Sequence, residues 1–163
     1  MLFSFGYLGG GEDHNNQNGM PQEWGCAGTD LWQDHEPASG RNGTYGAYLY
    51  NDEAVRRILQ HPEPDVNPLF MYLATQTMHA PLQVPAAFSD LYASSSGSNY
   101  THLYAVSNGM ATATDSILAN VTAALRRRGM WARTLVVHLS DNGGPVAACA
   151  GASHANNFPL RGG

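Results

Sequence analysis

The sequence predicts an α/β fold with a mainly parallel central sheet flanked by helices, on three observations. Two short apolar runs, Pro68-Leu-Phe-Met-Tyr-Leu-Ala74 and Leu135-Val-Val-His-Leu-Ser140, have the length and character of buried strands. Between them Leu103, Val106, Met110, Ala113, Ile117, Val121 and Leu125 recur at spacings of three and four, which is the apolar face of an α-helix. Strand, helix, strand is a crossover unit, and it sets its strands parallel with their carboxyl ends on one side of the sheet.

Taken in order, residues 1–45 are rich in glycine and asparagine and read as a loop segment, and residues 46–163 read as the α/β core. Asn51-Asp-Glu-Ala-Val-Arg-Arg-Ile-Leu-Gln60 is a short helix, with Asn51 as its N-cap, Asp52 and Glu53 in the first turn, and Pro62 as its stop. Pro68 suits the first residue of a strand, where a missing N–H costs little. Residues 89–99 are a polar loop, and the helix that follows spans about 101–128. Arg126-Arg-Arg128 before Gly129 closes that helix, since cations suit its carboxyl end and glycine its C′ position. The sequence shows no internal repeat and no linker dividing two domains.

Residues with chemistry gather where the strands end. His79 follows the first run on a segment stiffened by Pro81 and Pro85, and the second run ends in Asp141-Asn142-Gly143-Gly144. Ligands bind outside the carboxyl ends of parallel strands, so His79 and Asp141 are expected to open onto one crevice, within roughly ten ångströms of each other. Asp and Asn offer hard oxygen donors, and the glycines let the backbone turn around what they hold. Asn142-Gly143 between apolar runs is equally a hairpin signal, with 145–150 as the returning strand. Other features are read as structural. His14, His35 and His154 are surface histidines in loops, and His138 is a core or edge histidine within a strand. The glycines at 9–11 lack the Gly-Lys-Ser/Thr of a phosphate loop.

These segments resemble a family. Met78-His79-Ala-Pro-Leu-Gln-Val-Pro85, Ser140-Asp-Asn-Gly-Gly144 and Asn156-Asn-Phe-Pro-Leu-Arg-Gly-Gly163, in this order, are similar to the middle of a type I sulfatase, in the group of arylsulfatases B, I and J. Phe3-Ser-Phe-Gly-Tyr-Leu-Gly-Gly-Gly-Glu-Asp13, Asp30-Leu-Trp32 and Asn42-Gly-Thr-Tyr45 are similar to further landmarks of that family, as are Asn120-Val-Thr-Ala-Ala-Leu125 and Gly129-Met-Trp131. The likeness implies that residues 1–163 are part of an alkaline-phosphatase-like sulfatase domain that continues on both sides. It also implies hydrolysis of sulfate esters on sulfated sugars or glycosaminoglycans. Carried over residue by residue, His79 is the catalytic, sulfate-contacting histidine, and Asp141 and Asn142 are ligands of a calcium ion whose site is incomplete in this chain.

The family's nucleophile is a formylglycine made from the cysteine of a Cys-x-Pro-Ser-Arg motif. Neither Cys26 in Trp-Gly-Cys-Ala-Gly nor Cys149 in Ala-Ala-Cys-Ala-Gly fits it. The alternatives are a truncated, non-catalytic sulfatase-like protein that binds a sulfated ligand, and a phosphoester hydrolase of the same superfamily.

Composition bounds the rest. The 163 residues, 43% of them hydrophobic, are enough for one domain with a core. A formal charge of −5, with all eight basic residues Arg, excludes a nucleic-acid footprint. No apolar run reaches the ~18 residues of a membrane span, and no signal peptide is read at the start. Two cysteines do not make a disulfide framework. The sequons at Asn42, Asn99 and Asn120 are candidate glycosylation positions, compatible with the lysosomal or extracellular location that the family implies.

Overall fold

A computed structural model describes residues 2–19, 28–62, 64–93 and 99–144. Cys26, Cys149, His154, the motif 156–163 and the returning strand of a hairpin at 145–150 lie outside them.

Among the described residues the sheet is small and antiparallel. Strands β1 (Phe5–Gly6), β2 (Trp32–Gln33) and β3 (Glu36–Pro37) pair in that order, with Phe5 opposite Gln33 and Trp32 opposite Pro37. β2 and β3 form a hairpin whose loop is Asp34 and His35. Asp34 sits at φ 55, and its backbone N–H and side-chain Oδ1 both engage the Ser4 backbone, each at 2.9 Å. Asp30 organises the neighbouring glycine loop. Its Oδ2 accepts from the N–H groups of Leu8 and Gly9 at 3.2 and 2.7 Å, and its Oδ1 from the Trp32 indole at 2.9 Å. The segment 1–45, expected as loop, therefore carries the sheet. Its order comes from single carboxylates that satisfy several backbone donors, which no periodicity reports.

Helix α1 (Gly46–Leu59) begins five residues before the predicted start. Tyr45, not Asn51, is the N-cap, and Glu53 sits mid-helix, where Arg56 and Arg57 pair with it. Two features hold the earlier start. Tyr45 is buried against Ala113 and Ile117, and Gly46 lies against the Gln76 amide so closely that a Cβ would stand 1.9 Å from Oε1. A short helix α2 (Ala86–Ser89) and a 3₁₀ turn at Asp90–Tyr92 occupy the start of the expected polar loop. Gly109 permits their approach to the long helix, since a Cβ there would stand 2.9 Å from the Ser89 nitrogen.

Helix α3 (Asn99–Arg127) matches the predicted stripe: Val106, Met110, Ala113, Ile117 and Leu125 are buried. Gly129 at φ 70 ends it as predicted. The Gly129 N–H bonds to Arg126 O at 3.0 Å and the Met130 N–H to Leu125 O at 2.9 Å, while Leu125 and Met130 pack together in the core. Arg128 of the basic run donates to the His61 carbonyl at 2.6 Å, and Arg126 lies over the Trp131 ring. The core lies between α1 and α3, in one cluster around Ile58, Ala124 and Leu125 and another around Tyr45, Ala113 and Ile117. A third, around Leu31, Leu49 and Tyr50, joins α1 to the sheet.

The parallel sheet expected from 69–74 and 135–140 is not confirmed: among the described residues neither run forms a strand. Residues 69–74 do alternate as a strand does: Leu69, Met71 and Leu73 pack on the helices, while Phe70 and Tyr72 are 90% and 82% exposed. A strand needs a backbone partner as well as a face, and the described residues supply none. Leu135, Val137 and Leu139 are likewise exposed, as is His138, which was expected in the core or at an edge.

Candidate functional site

His79 closes a four-residue turn. Its N–H bonds to Gln76 O at 3.0 Å, and Met78, the third residue, sits at φ 73, a left-handed conformation normally left to glycine. The peptide bond between Ala80 and Pro81 is cis. The His79 ring is exposed, and its Nδ1 lies 2.7 Å from the Ala80 carbonyl oxygen. A carbonyl can only accept, so Nδ1 carries the proton and Nε2 is the ring position left for a ligand.

The turn is gripped from several sides. The Thr114 hydroxyl on α3 donates to Thr77 Oγ1 at 2.6 Å. Glu12 Oε1 accepts from Gln76 Nε2 at 2.5 Å and from the Tyr50 hydroxyl on α1 at 3.0 Å. Beyond the turn, Gln83 Nε2 donates to Asp13 Oδ2 and Gln83 Oε1 accepts the His14 N–H, both at 2.8 Å. The Tyr45 hydroxyl donates to the Gln83 carbonyl at 3.0 Å.

The electrostatics follow from burial. Glu12 and His14 are each 1% exposed. Burial pushes the Glu12 carboxyl up to about 7, against the hydrogen bonds from Tyr50 and Gln76 and helped by the nearby charges of Asp30 and Asp13. Burial likewise pushes His14 below its usual value, and the charge of His79 adds to this, while a bond to the Gln83 backbone and the Asp13 carboxylate oppose it. Asp13 is only partly buried. Burial pushes it up, yet the bonds from Gln83, Asn15 and Asn16 hold it below the ordinary range. The sequence reads His14 as a surface loop histidine; it is an interior residue, 1% exposed.

Asp141 and Asn142 sit in an exposed bend. The Asn142 N–H donates to Asp141 Oδ1 at 2.8 Å, and Asn142 Nδ2 donates to Gly143 O at 2.9 Å. Among the described residues no hydrogen bond or ion pair joins them to His79, and no group of three or more His, Cys, Asp or Glu could hold a metal. Their carboxylate and amide oxygens are the right donors for a hard cation, but too few for the six to eight that calcium takes.

Sequence reasoning singled out His79, Asp141 and Asn142 but missed Glu12, His14, Gln76 and Gln83. The signal available was that glutamines flank His79 on both sides within four positions; their partners lie in the loop, far away in sequence.

The sulfatase family model matches residues 6–162, and the chain belongs to that family. It is 35% identical over 139 residues to arylsulfatase J of Mus musculus, a match that covers 85% of this chain and 21% of the relative. The crystal structure of Ps i-CgsB in complex with k-i-k-neocarrahexaose superposes with a TM-score of 0.74 at 25% identity, covering 99% of this chain and 35% of the other. A second crystal structure of Ps i-CgsB gives 0.73 with the same identity and coverage. The chain thus spans about a fifth of the curated relative it matches, and its fold is the α/β, alkaline-phosphatase-like fold of sulfatases. Among the described residues no helix is long and apolar enough to cross a membrane.

Proposed function

We propose that this chain forms part of the catalytic domain of a hydrolase that cleaves sulfate esters on sulfated sugars. The observation that carries this reading is the His79 turn: an exposed imidazole with its Nδ1–H tied to the Ala80 carbonyl. With Nδ1–H held by the Ala80 carbonyl, the protonated imidazolium presents Nε2–H to the sulfate or bridging oxygen, orients the ester and gives that proton to the departing alkoxide, while the sulfuryl group passes in the net hydrolysis to water. Asp141 and Asn142 are the metal ligands of this reading. A calcium ion held there would offset the negative charge of the sulfate. The glycan part of the proposal rests on the oligosaccharide complex of the structural relative. Location in the lysosome or outside the cell, with glycans on Asn42, Asn99 and Asn120, belongs to the same proposal; Asn42 lies in an exposed turn and Asn120 is exposed on α3.

Turnover of a chromogenic aryl sulfate by a protein that carries the whole sulfatase domain, and by its His79→Ala variant, tests it. Loss of a positioned proton-transfer group lowers turnover by about 10²–10⁴-fold, with the fold intact because the ring is exposed. Equal turnover removes His79 from the site. No turnover in either protein, with retained binding of a sulfated oligosaccharide, favours the alternative of a non-catalytic binder.

A further inference from the structure

We propose that the consecutive carboxylates Glu12 and Asp13 are positioning residues, which grip the two ends of the His79 segment and fix where its imidazole stands. This rests on the reading of His79 as the sulfate contact. The segment 76–83 has one hold at each end. At the start, Glu12 Oε1 takes the Gln76 amide at 2.5 Å, and the Gln76 carbonyl in turn receives the His79 N–H at 3.0 Å. At the far end, Asp13 Oδ2 takes the Gln83 amide at 2.8 Å while the His14 backbone donates to its other atom at the same distance. Because the two carboxylates are neighbours in the chain, one rigid piece of backbone holds both ends.

That backbone is itself fixed. Asp13 Oδ1 accepts the N–H groups of Asn15 and Asn16, each at 2.9 Å, and the Gln17 amide donates to the Thr44 carbonyl at 2.8 Å, where α1 begins. Tyr50 of α1 locks Glu12 from the other side. The His79 turn needs such holds, because Met78 stands in a conformation that a side chain disfavours and that persists only where the surroundings impose it.

A buried carboxyl is a poor choice for stability alone, since an apolar residue of similar size would avoid its desolvation. An acceptor at position 12 is instead required by two donors, Tyr50 Oη and Gln76 Nε2, that converge on one oxygen. The second oxygen, Oε2, has no hydrogen-bond partner among the described residues. The grip therefore survives protonation, because the proton settles on Oε2 and leaves Oε1 accepting. An amide does the same, so Glu12→Gln is the conservative replacement.

Amide hydrogen exchange and the ring proton signals of His79, followed by NMR in the 163-residue chain, test this. In Glu12→Ala the His79 amide exchanges about tenfold faster and its ring signals shift, while the Ile117 amide in α3 stays within about twofold. Glu12→Gln keeps both near their starting values. Gln83→Ala, at the less buried end, gives the same local loosening and decides the matter if Glu12→Ala loses its fold. Unchanged exchange at His79, equal acceleration at His79 and Ile117 in both alanine variants, or a Glu12→Gln chain that behaves like Glu12→Ala overturns the proposal. No sulfate ester enters these measurements, so failure of the grip and failure of the hydrolase reading are separate results.

Discussion

The hydroxyl of Tyr50, in the middle of α1, donates to Glu12 Oε1 at 3.0 Å inside the core, and this buried pair ties the stability of the chain to pH. The Glu12 carboxyl titrates at about 7 in the fold against an ordinary 4.5, so it holds its proton more tightly folded than unfolded. Its contribution to stability is full below about 4.5 and is lost as pH rises through 7. His14 runs the other way: burial lowers it, so its contribution is present above its ordinary 6.5 and is lost as pH falls through the lowered value. Glu12→Gln removes the first slope and leaves the second. Urea unfolding near pH 5 and near pH 8 should show the variant gaining on the parent at the higher pH, by an order of 2–3 kcal/mol. An unchanged difference between the two pH values rejects this.

Gly46 makes a second link in the same network. A Cβ at this position would stand 1.9 Å from Gln76 Oε1 and 3.0 Å from its Cδ, and the Gln76 side chain is buried, with its Nε2 tied to Glu12. Gly46→Ala therefore ejects the Gln76 amide from Glu12. Helix propensity alone favours alanine by up to about 1 kcal/mol, so the sign of the result decides between propensity and packing. We expect a net loss of about 1–3 kcal/mol in denaturant unfolding, because a buried donor loses its acceptor and close packing is violated. A stabilised Gly46→Ala chain would mean that Gln76 is free to move.

How much of this was legible in the sequence depends on the range of the interaction. The long helix was readable because its stripe repeats every three to four residues, and its end because Gly129 and the arginines before it are local signals. The start of α1 was misplaced because Asn51 has the chemistry of a cap, while the feature that moves the start to Gly46 is contact with Gln76, thirty positions away. The apolar run 69–74 was legible as a strand candidate, but not that Phe70 and Tyr72 would face outward, and pairing is a property of two segments, with no partner among the described residues. His79, Asp141 and Asn142 stood out by family likeness. Glu12 and His14 did not, because a polar residue in a glycine-rich loop gives no sequence sign that the loop will fold inward.

Calcium provides a third test. The donor set at Asp141 and Asn142 supplies one carboxylate and one amide oxygen, and Asp141 Oδ1 already accepts the Asn142 N–H. Affinity for calcium rises with the number of anionic ligands and the rigidity of the site. Calorimetric titration of the 163-residue chain is expected to give binding weaker than about 1 μM, reduced further by Asp141→Ala. Tight binding at submicromolar concentration, lost in Asp141→Ala, would show that the chain completes the shell by itself.

A last prediction concerns the outward faces of the two extended apolar runs. Phe70 and Tyr72 alternate with Leu69, Met71 and Leu73, which already serve the core, and Leu135 is 88% exposed beside Val137 and Leu139. Large apolar side chains on backbone that has no strand partner among the described residues favour association, since both apolar surface and main-chain donors and acceptors are available. The 163-residue chain should therefore show a concentration-dependent rise in mass in sedimentation equilibrium. Phe70→Ser together with Tyr72→Ser should reduce it sharply while thermal stability changes little, because both rings point away from the helices and contribute almost nothing to the folded core. A double variant that associates as the parent does would place the contact elsewhere. One that also loses stability by several kcal/mol would show that these rings are buried in solution, and that the face is covered by the chain's own residues.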